Sequence, residues 1–364
     1  MKLIHLKEGF RIFKKSLKRR FFGVKKYNGS AEQICRQIIK DCWNGRYFQA
    51  SSGHFCEFYT RDFGFCIEAL LKLGYKDEIK KTLEYVLNIF EKNRKITTTI
   101  SPDGIPFDFP YYAVDSVPYL IRSLRIFNDK NLIIRYNAFL NKEIKKFYEI
   151  VFDKEKGLVK ENACFSSMKD YSVRKSSCYD NVMAAMLSNE LKKIEILENP
   201  FKDYDFKKTI KEKFWTGSYF LDDLSGSSHV AGDANVFPFW SNVFDDKKML
   251  RSSIEAIQKE GLDSPFPLKY TGNTEKLRMI NAEFFVPGYE RSSIWMHMGP
   301  LFIGLVKKIN KNKAEDYVQQ YRSLIEKYKN YPEVFDADGK PYKTPFYYSD
   351  EGMLWAAMFL DLIY

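Results

Sequence analysis

The stretch DFPYYAVDSVPYLIR, residues 108 to 122, decides how the chain is read. From Val114 onward the apolar residues Val117, Leu120, Ile121, Leu124 and Phe127 recur at spacings of three and four, the period of one helix face. Asp115 and Ser116 are cap residues, so a helix begins there with the Asp115 carboxylate at its mouth, beside a tract of aromatics and prolines. A single Asp in that position is an ordinary N-cap. The same arrangement recurs along the chain, and a cap alone does not explain the recurrence.

Polar and aromatic clusters open an apolar helix at Arg61-Asp62-Phe63-Gly64, Val114-Asp115-Ser116, Ser177-Cys178-Tyr179-Asp180-Asn181, Gly232-Asp233-Ala234-Asn235, Glu290-Arg291-Ser292-Ser293 and Tyr348-Ser349-Asp350-Glu351. With Asp62, Asp115, Asp180, Asp233, Arg291 and Asp350 as markers, the intervals are 53, 65, 53, 58 and 59 residues. A helix pair of that length cannot bury both its faces alone, whereas six in a ring can. Amphipathic patterns predict helices over 31–43, 63–73, 77–93, 114–128, 131–152, 176–193, 205–214, 233–242, 247–259, 290–309, 313–328 and 349–363, with few alternating strands. Segments 63–73 and 349–363 are apolar on nearly all sides, while 77–93 and 313–328 are charge-striped. The expected fold is all-α, an (α/α)6 toroid of six helical hairpins. Its inner helices run parallel, so their N-termini and the six clusters share one rim, a place suited to a polar ligand.

With 364 residues and 45% hydrophobic content the chain can bury a large core. No run of eighteen apolar residues occurs and the N-terminus lacks an apolar signal core, so a cytoplasmic protein is expected. The six cysteines all fall in the first half without a CxxC pair, which argues against zinc and against a disulfide scaffold. His5, His54, His229 and His297 lack metal-ligand spacing and no phosphate loop appears, so neither metal nor cofactor is expected.

The net charge of +11 is concentrated in residues 1–30, where ten Lys or Arg face only Glu8, and this speaks against nucleic acid as a partner of the nearly neutral remainder. The chain therefore divides into a basic segment, 1–30, and a ring domain, 31–364. In the basic segment Leu3, Leu6, Phe10, Phe13, Leu17 and Phe21 step by three or four, an amphipathic helix with a basic opposite face. Such a helix either packs its apolar stripe on the body or lies on an anionic membrane surface as a peripheral contact.

Three stretches resemble the six-hairpin glycosidases, the α/α-toroid hydrolases that include glucoamylases, trehalases, neutral invertases and the glucosidase relatives of glycogen-debranching enzymes. They are FYTRDFGFCIEALLKLG at 58–74, AVDSVPYLIRSL at 113–124, and YPEVFDADGKPYKTPFYYSDEGMLWAAMF at 331–359. The resemblance covers roughly residues 31 to 364. It implies that Asp115, in Val-Asp-Ser, is the general acid and that Glu333, in the Pro-Glu loop before the last helix, is the general base.

Glycosidic cleavage needs one protonated carboxyl to give a proton to the leaving oxygen and one carboxylate to activate water or attack carbon. Asp115 and Glu333 are far apart in sequence, so only a closed ring can bring them together. Phe107, Phe109, Tyr111 and Tyr112 are expected to desolvate Asp115, and the rival carboxylates are Glu283, Glu290, Glu351 and Asp350. Arg61, Asp62, Tyr112, Tyr179, Asn181, Asp233, Trp240, Glu290 and Trp295 are expected to bind sugar, with Trp43, Tyr47 and Tyr348 as further flat faces. The expected substrate is a neutral or weakly charged oligosaccharide or disaccharide, an α-glucoside, cleaved with inversion. Two other readings stand beside this one. His54 and His297 suit a sugar 2-epimerase, and a non-catalytic glycan-binding or scaffold toroid would have Asp115 and Glu333 too far apart or capped by Arg. Residues 1–30 are expected to be dispensable for hydrolysis but to affect location or association.

Overall fold

The computed structural model describes residues 3–272 and 277–364. Its helices are α1 (Leu3–Phe22), α2 (Ala31–Cys42), α3 (Thr60–Lys72), α4 (Lys76–Asn93), α5 (Ser116–Phe127), α6 (Lys130–Arg135), α7 (Asn137–Val151), α8 (Cys178–Leu191), α9 (Phe206–Phe214), α10 (Gly232–Trp240), α11 (Lys247–Lys259), α12 (Met298–Lys307), α13 (Lys311–Tyr328) and α14 (Ala356–Ile363). The apolar helices α3, α5, α8, α10, α12 and α14 pack in that order, and α14 returns to α3, so the inner ring is closed. Between them in sequence come α2, α4, α7, α9, α11 and α13, which form the outer layer and cover the inner ring. The expected toroid of six hairpins is the fold observed.

Local chemistry sets where the helices begin and end. Ser30 and Gln33 form a reciprocal capping box at the start of α2, and Ser177 and Asp246 cap α8 and α11. Asn128 stops α5 in the left-handed conformation at φ 56°, as Lys329 does for α13 at φ 50°. The predicted helix 131–152 is interrupted at Tyr136, between α6 and α7. Two further predictions place a helix start too early. The segment 290–297 is not helical, because Ile294–Trp295 pairs as a short antiparallel strand with Val334–Phe335. The segment 349–355 also precedes its helix, with its backbone hydrogen-bonding the Glu333 segment and Gly352 at φ 62°. Both exceptions flank Glu333 and clamp it on two sides.

The lumen of the ring is filled with aromatics. Phe65 of α3 stacks on His297 at 5.5 Å and lies 5.1 Å from Tyr119 and 6.0 Å from Phe237 and Trp240, ring centre to ring centre. This plug leaves the rim of inner-helix N-termini as the floor of a bowl.

α1 lies on the rim with its charged face inward, the reverse of the arrangement expected. Arg11 pairs with the buried Glu57, and Arg19 with the buried Asp350. His5 meets the Asp108 carbonyl at the other end of the helix. Meanwhile Leu3, Phe10 and Phe21 are 83%, 69% and 75% exposed. The charged face wins because Glu57 and Asp350, enclosed by the ring, require cations, and an unpaired buried carboxylate costs far more than an exposed Phe.

Close approach of backbone segments gives a test of this packing. A Cβ on Gly232, at the start of α10, would lie 2.4 Å from the Lys269 carbonyl oxygen, a backbone atom that cannot swing aside. Gly232→Ala, which in a free helix would stabilise, is expected to lower unfolding stability by about 1–3 kcal/mol in urea titration.

Candidate functional site

Glu333 lies in the loop between α13 and α14, buried within the rim. The strand pair holds its backbone: its carbonyl accepts from Met296 N–H at 3.1 Å and its own N–H donates to Asp350 O at 3.0 Å. Three donors converge on the carboxylate. Tyr289 O–H serves Oε1, while Tyr347 O–H at 2.5 Å and Asp350 N–H at 2.9 Å serve Oε2. Burial and the nearby Asp350 nevertheless push Glu333 up to about 7. The group is therefore arranged as an acceptor whose proton comes and goes near neutrality.

Asp115 is on the rim as expected, but wholly enclosed, at 0% exposure. Its Oδ2 accepts from Arg61 Nε at 2.6 Å and from Tyr179 O–H at 2.9 Å, so Asp115 carries the Arg cap expected of a toroid without activity. Phe107 and Phe109 lie instead against His5 of α1. The other arm of Arg61 reaches Asp170 Oδ1 at 3.4 Å. Asp170 belongs to the loop between α7 and α8, and its side chain is 27% exposed. Burial raises its pKa above the usual carboxylate value despite Arg61. Glu290 fastens this loop by accepting from the N–H groups of Asp170 and Tyr171, each at 2.7 Å. Burial and the adjacent Asp170 raise the Glu290 pKa as well. The Tyr171 ring lies 6.2 Å from Tyr289, whose hydroxyl holds Glu333, so the Asp170 loop and the Glu333 loop form one continuous wall.

The remaining expected residues divide by what they touch. Arg61, Asp62, Tyr179 and Glu290 stand on the rim, and burial pushes Asp62 up to about 7. Asp233 lies in a buried charge cluster, 3.2 Å from Lys169 and 3.0 Å from Arg174, with its Oδ1 making no hydrogen bond among the described residues. Asn181 is likewise consumed, accepting from Val159 N–H and donating to Ser176 Oγ and the Ser177 carbonyl. Trp295 donates its indole N–H to the Tyr289 carbonyl and packs its ring on Tyr289, 4.6 Å away, so it supports the wall from behind. The Tyr112 hydroxyl is buried without a hydrogen-bond partner among the described residues.

Trp240 is the last residue of α10, roughly 12 Å below the rim at 1.5 Å per residue, where Arg122 lies over its ring. Trp43 and Tyr47 pack on Phe48 and Tyr85 and line no site. Among the rival carboxylates, Glu351 pairs with Arg19, Glu283 with Arg291, and Asp350 is enclosed by Arg19, Ser51 and His54. The epimerase reading loses its histidines. His297 is sandwiched among aromatics and His54 is buried; burial lowers the pKa of both, His54 to about 3.

Asp170 is the rim carboxylate that helix-start markers passed over, because it lies in a loop, eight positions before α8, with no periodic neighbours. The usable signal was chemical: SSMKDYSVRKSS at 166–177 crowds an acid and three cations into a long polar loop between two apolar helices.

No family model matches the chain, and no curated protein matches it. Solved structures do. A glycosidase variant in complex with glucose superposes with a TM-score of 0.66 at 13% identity, covering 91% of this chain and 95% of that one. The GH63 mannosylglycerate hydrolase from Thermus thermophilus, in complex with glucose, gives a TM-score of 0.64 at 12% identity, covering 91% and 100%. A rhamnosidase from Klebsiella oxytoca with rhamnose bound gives 0.63 at 9% identity, covering 92% of this chain; the chain spans 63% of that protein's length. At these identities the likeness is one of fold, and the chain has the six-hairpin toroid fold of these glycosidases.

Proposed function

We propose that the protein is a glycoside hydrolase in which Glu333 is the general base and Asp170 the proton donor. The observation that carries this reading is the set of three donors on Glu333, which holds it as an acceptor in the same wall as a loop bearing a partly exposed carboxyl of raised pKa. In the reaction Asp170 gives its proton to the glycosidic oxygen as the C1–O bond breaks. Glu333 takes a proton from water as the water oxygen bonds to C1, so a free sugar and an alcohol leave with the anomeric configuration inverted. Asp115 is the acid that the family resemblance suggests, yet its full enclosure and its bonds to Arg61 and Tyr179 suit a different task. It holds Arg61 against Asp170.

We take the substrate to be a neutral α-glucoside, as the fold neighbours with bound glucose and the nearly neutral ring support. A leaving group that needs no proton separates the roles. Asp170→Asn is expected to cut kcat on alkyl glucosides by about 10²–10⁴-fold and to leave glucosyl fluoride hydrolysis nearly unchanged. Asp115→Asn should depress both substrates alike, and proton NMR should show the inverted anomer first. Equal losses in Asp170→Asn would return the donor to Asp115.

The pH profile follows from Glu333. Its folded pKa is raised, so the base is ionised only above about 7, and the acidic limb of kcat/KM should fall near neutrality instead of near the ordinary Glu value of about 4.3. A limb below about pH 5 in a steady-state profile on an aryl glucoside would remove Glu333 from this role.

We divide the chain by role: residues 31–364 carry the chemistry, and residues 1–30 set where it works, in the cytoplasm at an anionic membrane surface. Among the described residues no helix is long and apolar enough to cross a membrane. Leu3, Leu6, Phe10, Phe21 and Phe22 are the exposed apolar side chains of α1, and Lys7, Lys14 and Lys18 are exposed beside them, the pattern of an interfacial helix. Flotation should show binding to vesicles containing phosphatidylglycerol, with a loss of about tenfold or more in Phe10→Ser/Phe21→Ser. Equal binding to neutral vesicles, or none to either, would contradict the membrane role.

A further inference from the structure

One side chain of the N-terminal helix crosses that division of roles. We propose that Arg19 is a positioning residue for Glu333, fixing its carboxylate as an acceptor through a directed hydrogen-bond relay. The inference rests on Glu333 being the base.

The direction of the relay follows from donor chemistry. A guanidinium donates only. Arg19 Nη1 lies 2.7 Å from His54 Nδ1, so Nδ1 must accept and the proton of the neutral imidazole resides on Nε2. Burial keeps that ring uncharged, lowering the His54 pKa to about 3. Nε2–H then donates to Tyr347 Oη at 3.1 Å, and the Tyr347 hydroxyl is free to donate onward to Glu333 Oε2 at 2.5 Å. A second route ends on the same oxygen. Arg19 Nη2 pairs with Asp350, whose carboxylate also takes the N–H groups of His54 and Phe55 at 2.9 Å, and whose own N–H donates to Glu333 Oε2 at 2.9 Å.

The junction admits no side chain at residue 53, since a Cβ on Gly53 would fall 2.0 Å from Asp350 Oδ1 and 2.1 Å from Arg19 Nη2. The charged groups facing His54 are Asp350, Arg19, Arg11 and Lys15; the titratable groups facing Glu333 are Asp350, Tyr289, Tyr347, Tyr171 and Tyr342. Arg19 is the member that orders the relay, because it alone both fixes the His54 tautomer and holds Asp350. Without it, His54 can place its proton on Nδ1 and turn Nε2 into an acceptor for Tyr347, and Oε2 loses a donor. A carboxylate that loses a donor and a nearby cation gains a proton more readily.

The test uses the full-length protein and a soluble aryl glucoside. In Arg19→Gln the acidic limb of kcat/KM should move up by about one pH unit, with KM changed less than about twofold. Tyr347→Phe should move it similarly, and the double variant should move it by less than the two single shifts added, because the Tyr347 bond is common to both while the Asp350 route depends on Arg19 alone. A merely structural Arg19 would lower the melting temperature and leave the limb in place, which would overturn the proposal. Should Arg19→Gln fail to fold, 15N NMR of His54 in the unaltered protein decides. The Nε2–H tautomer is expected, and Nδ1–H would refute the relay whether or not Glu333 proves to be the base.

Discussion

Closure of the inner ring, completed where α14 packs on α3, is the constraint on which the rest of the structure depends. Glu333 and Arg61 are widely separated in sequence and share a rim only because the ring closes. Closure also sets the chemistry of the rim. Parallel inner helices turn their N-termini to one side, and each N-terminus presents unsatisfied N–H groups that favour carboxylates. Acids gathered in this way repel one another and lose water. Each must then be paired with a cation, held by donors, or kept protonated.

All three outcomes occur, and they sort the carboxylates by task. Asp233 and Asp350 are paired with Lys169, Arg174 and Arg19, and such pairs build walls; breaking one partner of a buried pair costs about 3–5 kcal/mol. Asp115 is held by Arg61 and Tyr179 and positions the guanidinium. Burial raises the pKa of Glu333, Asp170, Asp62 and Glu290, and of these four Asp170 has the most exposed side chain. The ion pairs and the donor sets thus fix the loops that carry these acids. The docking of α1 belongs to the same logic, since Glu57 and Asp350 of the ring draw its basic face inward and turn its apolar ridge to the outside.

Much of this was legible in the sequence. Helical periodicity named all twelve ring helices, and the six recurring clusters located the rim, because burial on both sides of an inner helix leaves a plain apolar signature. The place of Glu333 on the rim was readable from its Pro-Glu loop. The failures have physical causes. At 290–297 and 349–355 the residues have helical composition, yet the backbone is spent on the strand pair and on holding Glu333, a tertiary demand that periodicity does not carry. Asn181 looks like a sugar ligand in a string of letters and is satisfied internally in space, and Asp233 is enclosed in a charge cluster with Lys169 and Arg174. Trp240 sits at the wrong end of a correctly placed helix. Asp170 carries no periodic mark, and the inward face of α1 depends on partners far along the chain.

Which carboxyl meets the leaving oxygen decides between Asp170 and Asp115 as the acid. The most direct measurement is a crystal structure of Asp170→Asn with an uncleaved α-linked glucose disaccharide. The glycosidic oxygen should lie within about 3 Å of the substituted amide at position 170, with a water between C1 and Glu333. A disaccharide whose glycosidic oxygen faces Asp115, or one bound away from the rim, would contradict it.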